Sequence, residues 1–353
     1  MATIFDVAEK AGVSITTVSR ALNGYPDVNE ETRKRVADAA TALNYYPSAA
    51  ARSLRGKRTN TIVFAPHLRA HTESEPFFKE FTGALALACF KHDLSLLATA
   101  ADSAKETRAL YRALAGSRRA DGIIIADVTP QDERIPLLQE IDIPFVAFGR
   151  TSNYTDLSYP FVDVDGAAGV RAVISHLYQH GHRRMAYLSG PLDTSYALHR
   201  YGGYQEALHH YGIVEDARLV RRDLQGRDET QAVVARLFAL PRDEYPTAIV
   251  CSSDRLALHV INIMQEQGLG VGRAPGQIAV TGFDDLPFAA YLRPPLTTVR
   301  QPIDTTCAAL LDVLGLVMKN TEPALAPESR PGVAWVGPQQ ILLEPELIIR
   351  DSA

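Results

Sequence analysis

The feature that most constrains this chain is a change of hydrophobic period near Thr61. Upstream, Ile4, Val7, Ala8 and Ala11 fall at i, i+3, i+4 and i+7, one apolar face of a short helix. Downstream, short β-type runs alternate with amphipathic stretches. The strand candidates are TIVFA (61–65), LSLLA (94–98), GIIIA (122–126), PFVAF (144–148), RMAYLSG (184–190), TAIVC (247–251) and IAVTGF (278–283). Between them lie helix candidates at 78–92, 104–117, 166–180, 200–211, 228–239 and 254–267, with Gly181, Gly212 and Gly268 just past three of them, where helix C-caps favour glycine. Such alternation predicts an α/β body of parallel, doubly wound sheets, more than one, behind a small all-helical head. A chain of 353 residues is long enough for two or three folding units. Ligands in doubly wound folds bind at the carboxyl ends of strands. The stretch TEPALAPESRPGVAWVGP (321–338) reads as a surface loop returning to a final strand or two, ILLEP and ELIIR.

The head reads as three helices. Gly12 breaks the first, and Ser14 caps a second from about Ile15 to Asn23. That helix places Val18 and Leu22 inward, and Ile15, Thr16, Thr17, Ser19 and Arg20 outward. The turn-rich Asn23-Gly24-Tyr25-Pro26-Asp27 follows. Asn29 then caps a third helix, with Glu30 and Glu31 in its first turn and an apolar stripe of Val36, Ala39, Ala40 and Leu43. Helix, tight turn and helix in AEKAGVSITTVSRALNG have the shape of a DNA-reading unit. Small hydroxyls suit phosphate, and arginine suits a bidentate contact to guanine. A plain small helical bundle has the same pattern.

The next segment adds to the case. YYPSAAARSLRGKR reads as a short helix between Pro47 and Gly56 with four cations, Arg52, Arg55, Lys57 and Arg58, and no acid. A helix this short is unstable alone in water. Its large aliphatic, Leu54, suits a wedge between base steps in a minor groove; an ordinary basic linker is the alternative. Residues 1–60 carry nine Lys/Arg and six Asp/Glu, a net charge of +3, which leaves −8 for the rest of a chain whose total is −5. A basic head on an acidic body is expected where only the head meets a polyanion.

Other classes are disfavoured. Cys89, Cys251 and Cys307 are sparse, odd in number and without a CxxC pair, as suits free buried thiols in a reducing compartment. MATIFDVAEK lacks the apolar core of a signal peptide, and no apolar run approaches the roughly 18–20 residues that span a bilayer. A cytoplasmic protein with no membrane partner is expected. His180 and His182 read as a helix end and surface rather than a metal site, and GLGVG (268–272) lacks the spacing of a dinucleotide loop. No GxSxG, HExxH or P-loop occurs, so no catalytic residue, metal or cofactor is expected.

The chain as a whole resembles the LacI/GalR family of bacterial transcriptional repressors. The likeness rests on TIFDVAEKAGVSITTVSRALNG, VNEETRKRV, ALNYYPSAAARSLRG, HLYQHGHRRMAYLSGP, SSDRLAL, VTGFDD, LTTVRQP and EPELIIRDS, which span nearly the whole chain in order. It implies a helix-turn-helix head over 1–46, a hinge over 47–58, and over 59–353 a two-lobed effector domain like type I periplasmic binding proteins. Lobe 1 would take about 59–160 and 292–325, and lobe 2 about 161–291 and 326–353.

The resemblance also implies site residues. Ile15, Thr16 and Arg20 would read bases, the apolar Ile15 through a thymine methyl. Ser14, Thr17, Ser19, Asn23, Arg33 and Tyr45 would hold phosphates, and Ala51, Leu54 and Arg55 would form the minor-groove hinge. A homodimer would bind a near-palindromic double-stranded operator. Between the lobes, Arg200 and Asp284 are the leading effector contacts, with Arg200 opening a helix and Asp284 ending a strand. A structural ion pair is the alternative for these two. Phe77 and Phe78 would stack on the ligand or pack in the core. Ser253 would bind ligand or cap its helix, and Asp165 reads as an N-cap. Thr194, Tyr196 and Leu224 would tune specificity. The effector expected is a small molecule, a sugar first. A purine-responsive, corepressed regulator is the alternative, and a solute-binding protein is disfavoured by the head. Whether ligand releases or promotes DNA binding is not in the residues.

Overall fold

A computed structural model describes residues 2–22, 24–45, 59–66, 75–101, 103–117, 119–151, 158–318 and 331–353. The chain divides into two compact units, Met1–Thr59 and Asn60–Ala353. The hinge expected over 47–58, with Ala51, Leu54 and Arg55, lies outside the described residues, as does Asn23.

The first unit holds α1 (Ile4–Ala11), α2 (Ile15–Leu22) and α3 (Glu30–Ala42). Thr3 and Asp6 form a reciprocal capping box at the start of α1, and Gly12 ends it in the left-handed region at φ 65°. The Ser14 hydroxyl accepts from the Thr17 amide at 3.1 Å, and Asn29 caps α3 through the Thr32 amide. Val7, Val18 and Val36 are fully buried at the centre, ringed by alanines that let three short helices approach closely.

In the second unit the first sheet contains β1 (Thr61–Pro66), β2 (Ser95–Ala98), β3 (Gly122–Ala126), β4 (Phe145–Phe148) and β5 (Phe161–Val164). Its helices are α4 (Glu75–Lys91), α5 (Ala104–Ser117) and α6 (Arg134–Glu140). The chain then builds a second lobe from α7 (Gly166–Gln179), β6 (Met185–Leu188), α8 (Ser195–His210), β7 (Val220–Arg221), α9 (Arg227–Leu237), β8 (Ala248–Cys251), α10 (Asp254–Glu266) and β9 (Ala279–Thr281). It returns through β10 (Thr298–Arg300) to α11 (Ile303–Val317), β11 (Val333–Gly337) and β12 (Gln340–Leu343), and crosses again at β13 (Glu346–Ile348).

Over the described residues the first sheet has the order β11-β12-β5-β4-β3-β1-β2 and the second the order β7-β6-β8-β9, while β10 and β13 pair by themselves. Pairing is parallel throughout both sheets except for the β11–β12 hairpin. Helices cover both faces of the first sheet, so β3, β4 and β5 are buried along their whole length.

This topology corrects the expected lobe boundaries. β5 belongs to the first lobe, so the crossing falls after Val164 rather than at 160. β11 and β12 also join the first sheet, not the second lobe to which 326–353 had been given. VAWVG is a strand inside the expected loop because it pairs with β12 across a tight turn. Gly181, Gly212 and Gly268 have φ of 89°, 66° and 73°, the left-handed helix ends that their positions suggested. Cys89, Cys251 and Cys307 are free and buried. No helix of the described residues is long and apolar enough to cross a membrane.

The helices α7 and α8 pack through small residues. A Cβ on Gly203 would fall within contact of the Ala167 carbonyl oxygen and 2.7 Å from its Cα, both backbone atoms that cannot swing aside. Gly203→Ala is expected to cost about 1–3 kcal/mol. Gly202→Ala on the same helix meets nothing within 4 Å, so it should be neutral or stabilising by up to about 1 kcal/mol. Chemical denaturation of the two variants checks this; equal stabilities would remove the close approach from the account.

Candidate functional site

The first candidate site is the exposed face of α2. Ile15, Thr16 and Arg20 are all exposed there, so the structure brings the three expected base-reading residues to one surface. Ser19 is only 7% exposed, which corrects its outward assignment: it lies on the same side of α2 as Val18. Ser14 and Thr17 share a hydroxyl hydrogen bond of 2.8 Å. Arg33 is half-buried and donates from Nη2 to the carbonyls of Tyr25 and Val28, so one nitrogen of this expected phosphate contact is engaged in holding the turn before α3. Tyr45 packs against the head core.

The second candidate site is a cleft between the two lobes, enclosing about 740 Å³ of empty space that includes open solvent. Phe77, Phe78, Arg200, Asp284, Ser253 and Tyr196 line it, as do several residues the sequence reading missed: Asp127, Phe148, Asp163, Ser195, His199, Ser252, Phe283 and Gln301. Leu224 does not belong to it; the side chain is in the core of the second lobe. Thr194 is at the N-cap of α8, 2% exposed and outside the cavity lining. Arg200 lies in the second turn of α8 rather than opening it, because the helix begins at Ser195.

Each wall has a local cause. β3 ends at Ala126, and Asp127 follows at φ 60° in the cavity wall. Asp163 interrupts the apolar strand β5 with one buried carboxylate. Ser253 caps α10 by accepting from the Leu256 amide, which is the capping reading of that residue. Beyond β9, Asp284 is held at φ 118°, a conformation rare outside glycine. Its neighbour Asp285 is fastened by Arg300 Nε at 2.8 Å and Arg350 Nη2 at 2.6 Å, which keeps that turn in place. Phe77, Phe81 and Phe148 stack beneath the first-lobe wall, Phe81 and Phe148 at 4.7 Å.

Arg200 and Asp284 meet at the cavity floor, both nearly buried. Arg200 Nη2 is 3.3 Å from Asp284 Oδ1, Nη1 donates to the Ser252 carbonyl at 2.6 Å, and the guanidinium lies 3.6 Å from the Phe283 ring centroid. Gln301 donates to the same Asp284 oxygen at 2.6 Å. The two side chains therefore pair directly and also form part of the wall. Burial raises the Asp284 pKa above the ordinary carboxylate value, against the lowering effect of Arg200 and Gln301. Burial likewise moves Asp163 up to about 6, opposed by Arg150, whose Nε is 3.1 Å away. His199 is pushed down to about 4 by burial and by the Arg150 charge, so it is neutral at pH 7.

The lobes touch across the cleft. The Ser195 amide at the start of α8 donates to the Val128 carbonyl of the first lobe at 2.9 Å, and His199 Nδ1 stands 3.8 Å from Asp163 Oδ2. Among the described residues no cluster of ligating side chains fits a metal ion.

Removal of Arg200 should expose the cost of this burial. In Arg200→Met the Asp284 carboxylate keeps only Gln301, its folded-state pKa rises further, and the loss is expected to be about 3–5 kcal/mol at pH 8. A raised folded pKa favours the protonated form, so the penalty grows as pH climbs through that pKa and shrinks below it. Denaturation at pH 8 and pH 5 should show the smaller loss at pH 5; equal losses would mean that Asp284 is not the responsible group.

Both the head and the body match known proteins. Residues 3–48 match the description of bacterial regulatory proteins of the lacI family, and residues 174–353 match the periplasmic binding protein-like domain. The chain is 33% identical to the HTH-type transcriptional regulator AglR of Rhizobium meliloti (strain 1021), over 98% of this chain and 92% of that protein. It is 35% identical to the HTH-type transcriptional repressor PurR of Vibrio atlanticus (strain LGP32), over 86% and 87%. Among solved structures, the transcriptional regulator CelR in complex with cellobiose is 28% identical with a TM-score of 0.69, covering 100% of both chains. The lac repressor dimer bound to operator shares the fold at a TM-score of 0.78 and 24% identity, covering 99% of this chain and 98% of that one. With its helix-turn-helix head and two-lobed body, the chain belongs to the LacI family of DNA-binding transcriptional regulators, which are not enzymes.

Proposed function

We propose that this regulator is a repressor whose operator affinity is set by a neutral, hydroxyl-rich small molecule, a sugar, bound between the lobes. The observation that carries the reading is one chain holding both an exposed α2 face with Ile15, Thr16 and Arg20 and an aromatic-walled cleft with more carboxylates than cations. Among the described lining residues Asp127, Asp163 and Asp284 stand against Arg200. Hydroxyls donate to carboxylates, and sugar rings lie well against aromatic walls such as Phe77, Phe78 and Phe283. A phosphorylated or carboxylated ligand would meet repulsion in the same place. The cellobiose bound by the CelR neighbour agrees in class.

A dimer reads a near-palindromic operator in this proposal. Ile15 meets a thymine methyl, Thr16 and Arg20 meet base edges, and Ser14, Thr17, Asn23, Arg33 and Tyr45 hold phosphates. Ala51, Leu54 and Arg55 enter the minor groove. The first lobe offers a face for the second copy: Leu87 and Phe90 on α4 and Leu97 on the edge strand β2 are 54%, 77% and 43% exposed. An open edge strand beside exposed large apolar groups marks an association surface. Ligand bears on DNA only if it binds one lobe arrangement better than the other. Release of DNA by the sugar is the expected direction.

A nucleobase is the second reading. The PurR names of several relatives and the flat aromatic walls favour it.

Full-length protein with duplexes enriched from a randomised library tests the DNA half. Affinity should fall with salt at a slope near −0.9 per phosphate neutralised. Leu54→Ala should lose operator affinity while the ligand response of the body persists. A thermal-shift screen of neutral sugars, sugar phosphates and purines tests the cleft, since a ligand that binds only the folded state raises the melting temperature. Stabilisation by purines alone would move the assignment to the second reading. Absence of any preference among duplexes would overturn the DNA half.

A further inference from the structure

The guanidinium of Arg20 is not free in the isolated head. Its Nε donates to Asp27 Oδ1 at 3.2 Å, and its Nη2 lies 2.5 Å from Asp27 Oδ2, a two-point contact along one edge of the fork. The Tyr25 ring lies beneath it, 4.9 Å from its central carbon. Both partners come from the turn between α2 and α3. That turn is itself tied down: the Tyr25 amide donates to the Arg20 carbonyl at 3.1 Å, and Arg33 Nη2 donates to the carbonyls of Tyr25 and Val28. Arg20 and Asp27 remain 44% and 52% exposed, so the pair sits at the surface rather than in the head core.

A guanidinium has five N–H donors in a planar fork. Asp27 takes the Nε hydrogen and one hydrogen of Nη2. What remains is the outer edge, Nη1 with the other Nη2 hydrogen, which is the pair of parallel donors that matches O6 and N7 of guanine. The carboxylate also offsets the cation's attraction for any phosphate, and it opposes approach to the backbone, which carries no sequence information.

We infer that Asp27 is a positioning residue for specificity: it presents the outer edge of Arg20 to a guanine and suppresses sequence-independent binding by the same side chain. The inference rests on the base-reading role proposed above for Arg20. Tyr25 limits rotation of the guanidinium from its face, and Arg33 fixes the turn that carries both groups. The pair acts as selection against the wrong partner as much as attraction to the right one.

The test uses full-length protein, a duplex enriched from a randomised library, the same duplex with the contacted guanine replaced, and a random duplex. Asp27→Asn keeps the size and removes the charge. It should strengthen binding to random duplex, steepen the salt slope by about one, and reduce the ratio of selected to random affinity by roughly tenfold. Asp27→Glu keeps the charge and should retain the wild-type salt slope. In Arg20→Ala, adding Asp27→Asn should leave the ratio of selected to random affinity unchanged, since the positioned group is gone. An unchanged ratio and slope in Asp27→Asn, with selectivity lost in Arg20→Ala, would overturn the positioning role alone. Unchanged selectivity in both variants would overturn the base-reading role of Arg20 and this inference with it. Thermal unfolding of each variant confirms a folded head, because Asp27 lies outside its buried core.

Discussion

The guanidinium of Arg200 carries a full charge where almost no water reaches it. Removing such a group from solvent costs several kcal/mol unless its donors find acceptors nearby. Here the Ser252 carbonyl, the Asp284 carboxylate and the Phe283 ring meet it from three directions. Those partners come from the ends of β8 and β9, so satisfying one buried cation brings two strand ends and α8 into register. Gln301, just after β10, completes the set through Asp284. The arrangement is a structural ion pair and a cleft wall at once; contact with an effector belongs to the proposed function.

The cleft depends on chain crossings as well as on charge. Among the described residues the backbone passes between lobes after Val164, between Arg300 and Ile303, and between Leu343 and Glu346. Each crossing is short and carries a strand on at least one side. Hydrogen-bonded contacts such as Ser195 to Val128 then link the lobes across the opening. A ligand that inserts among Asp127, Asp163 and Asp284 contacts both sides of that opening, which is the geometric requirement for differential affinity between two lobe arrangements. Burial keeps Asp163 and Asp284 in tension with their charge, as their raised pKa values express.

The head solves a different problem. Three short helices cannot bury much apolar surface, and its centre is three valines with small neighbours. Capping therefore matters more here than in the body, and Thr3, Ser14 and Asn29 each close a helix start. The same economy of size leaves one face of α2 exposed, with Ile15, Thr16 and Arg20 on it, so a surface for another molecule comes with the architecture. Arg20, Tyr25, Asp27 and Arg33 form a connected polar set on that surface, which ties the shape of the turn to the direction of the arginine.

Local pattern was sufficient for the elements that obey one period. The runs around β1, β3, β4, β6 and β8, the helix starts at Asn29, Asp165 and Ser253, and the glycine helix ends were legible because each depends on near neighbours. So was the helix-turn-helix, whose spacing and caps are local. What escaped was everything decided by distant partners. β5 and β11 were missed because pairing with β12 makes them strands. Asp127, Asp163, His199 and Gln301 were missed as cleft residues because the strand ends that bring them together are far apart in the chain. Ser19 and Leu224 were misplaced because helical spacing does not say which neighbour will cover a side chain. The sequence by itself determined the alternation of helices and strands and the helix-turn-helix motif, because these follow from local period and capping. The tertiary structure alone decided lobe membership, the Arg200–Asp284 contact and the burial that shifts the acids, since these follow from long-range packing that no local period encodes.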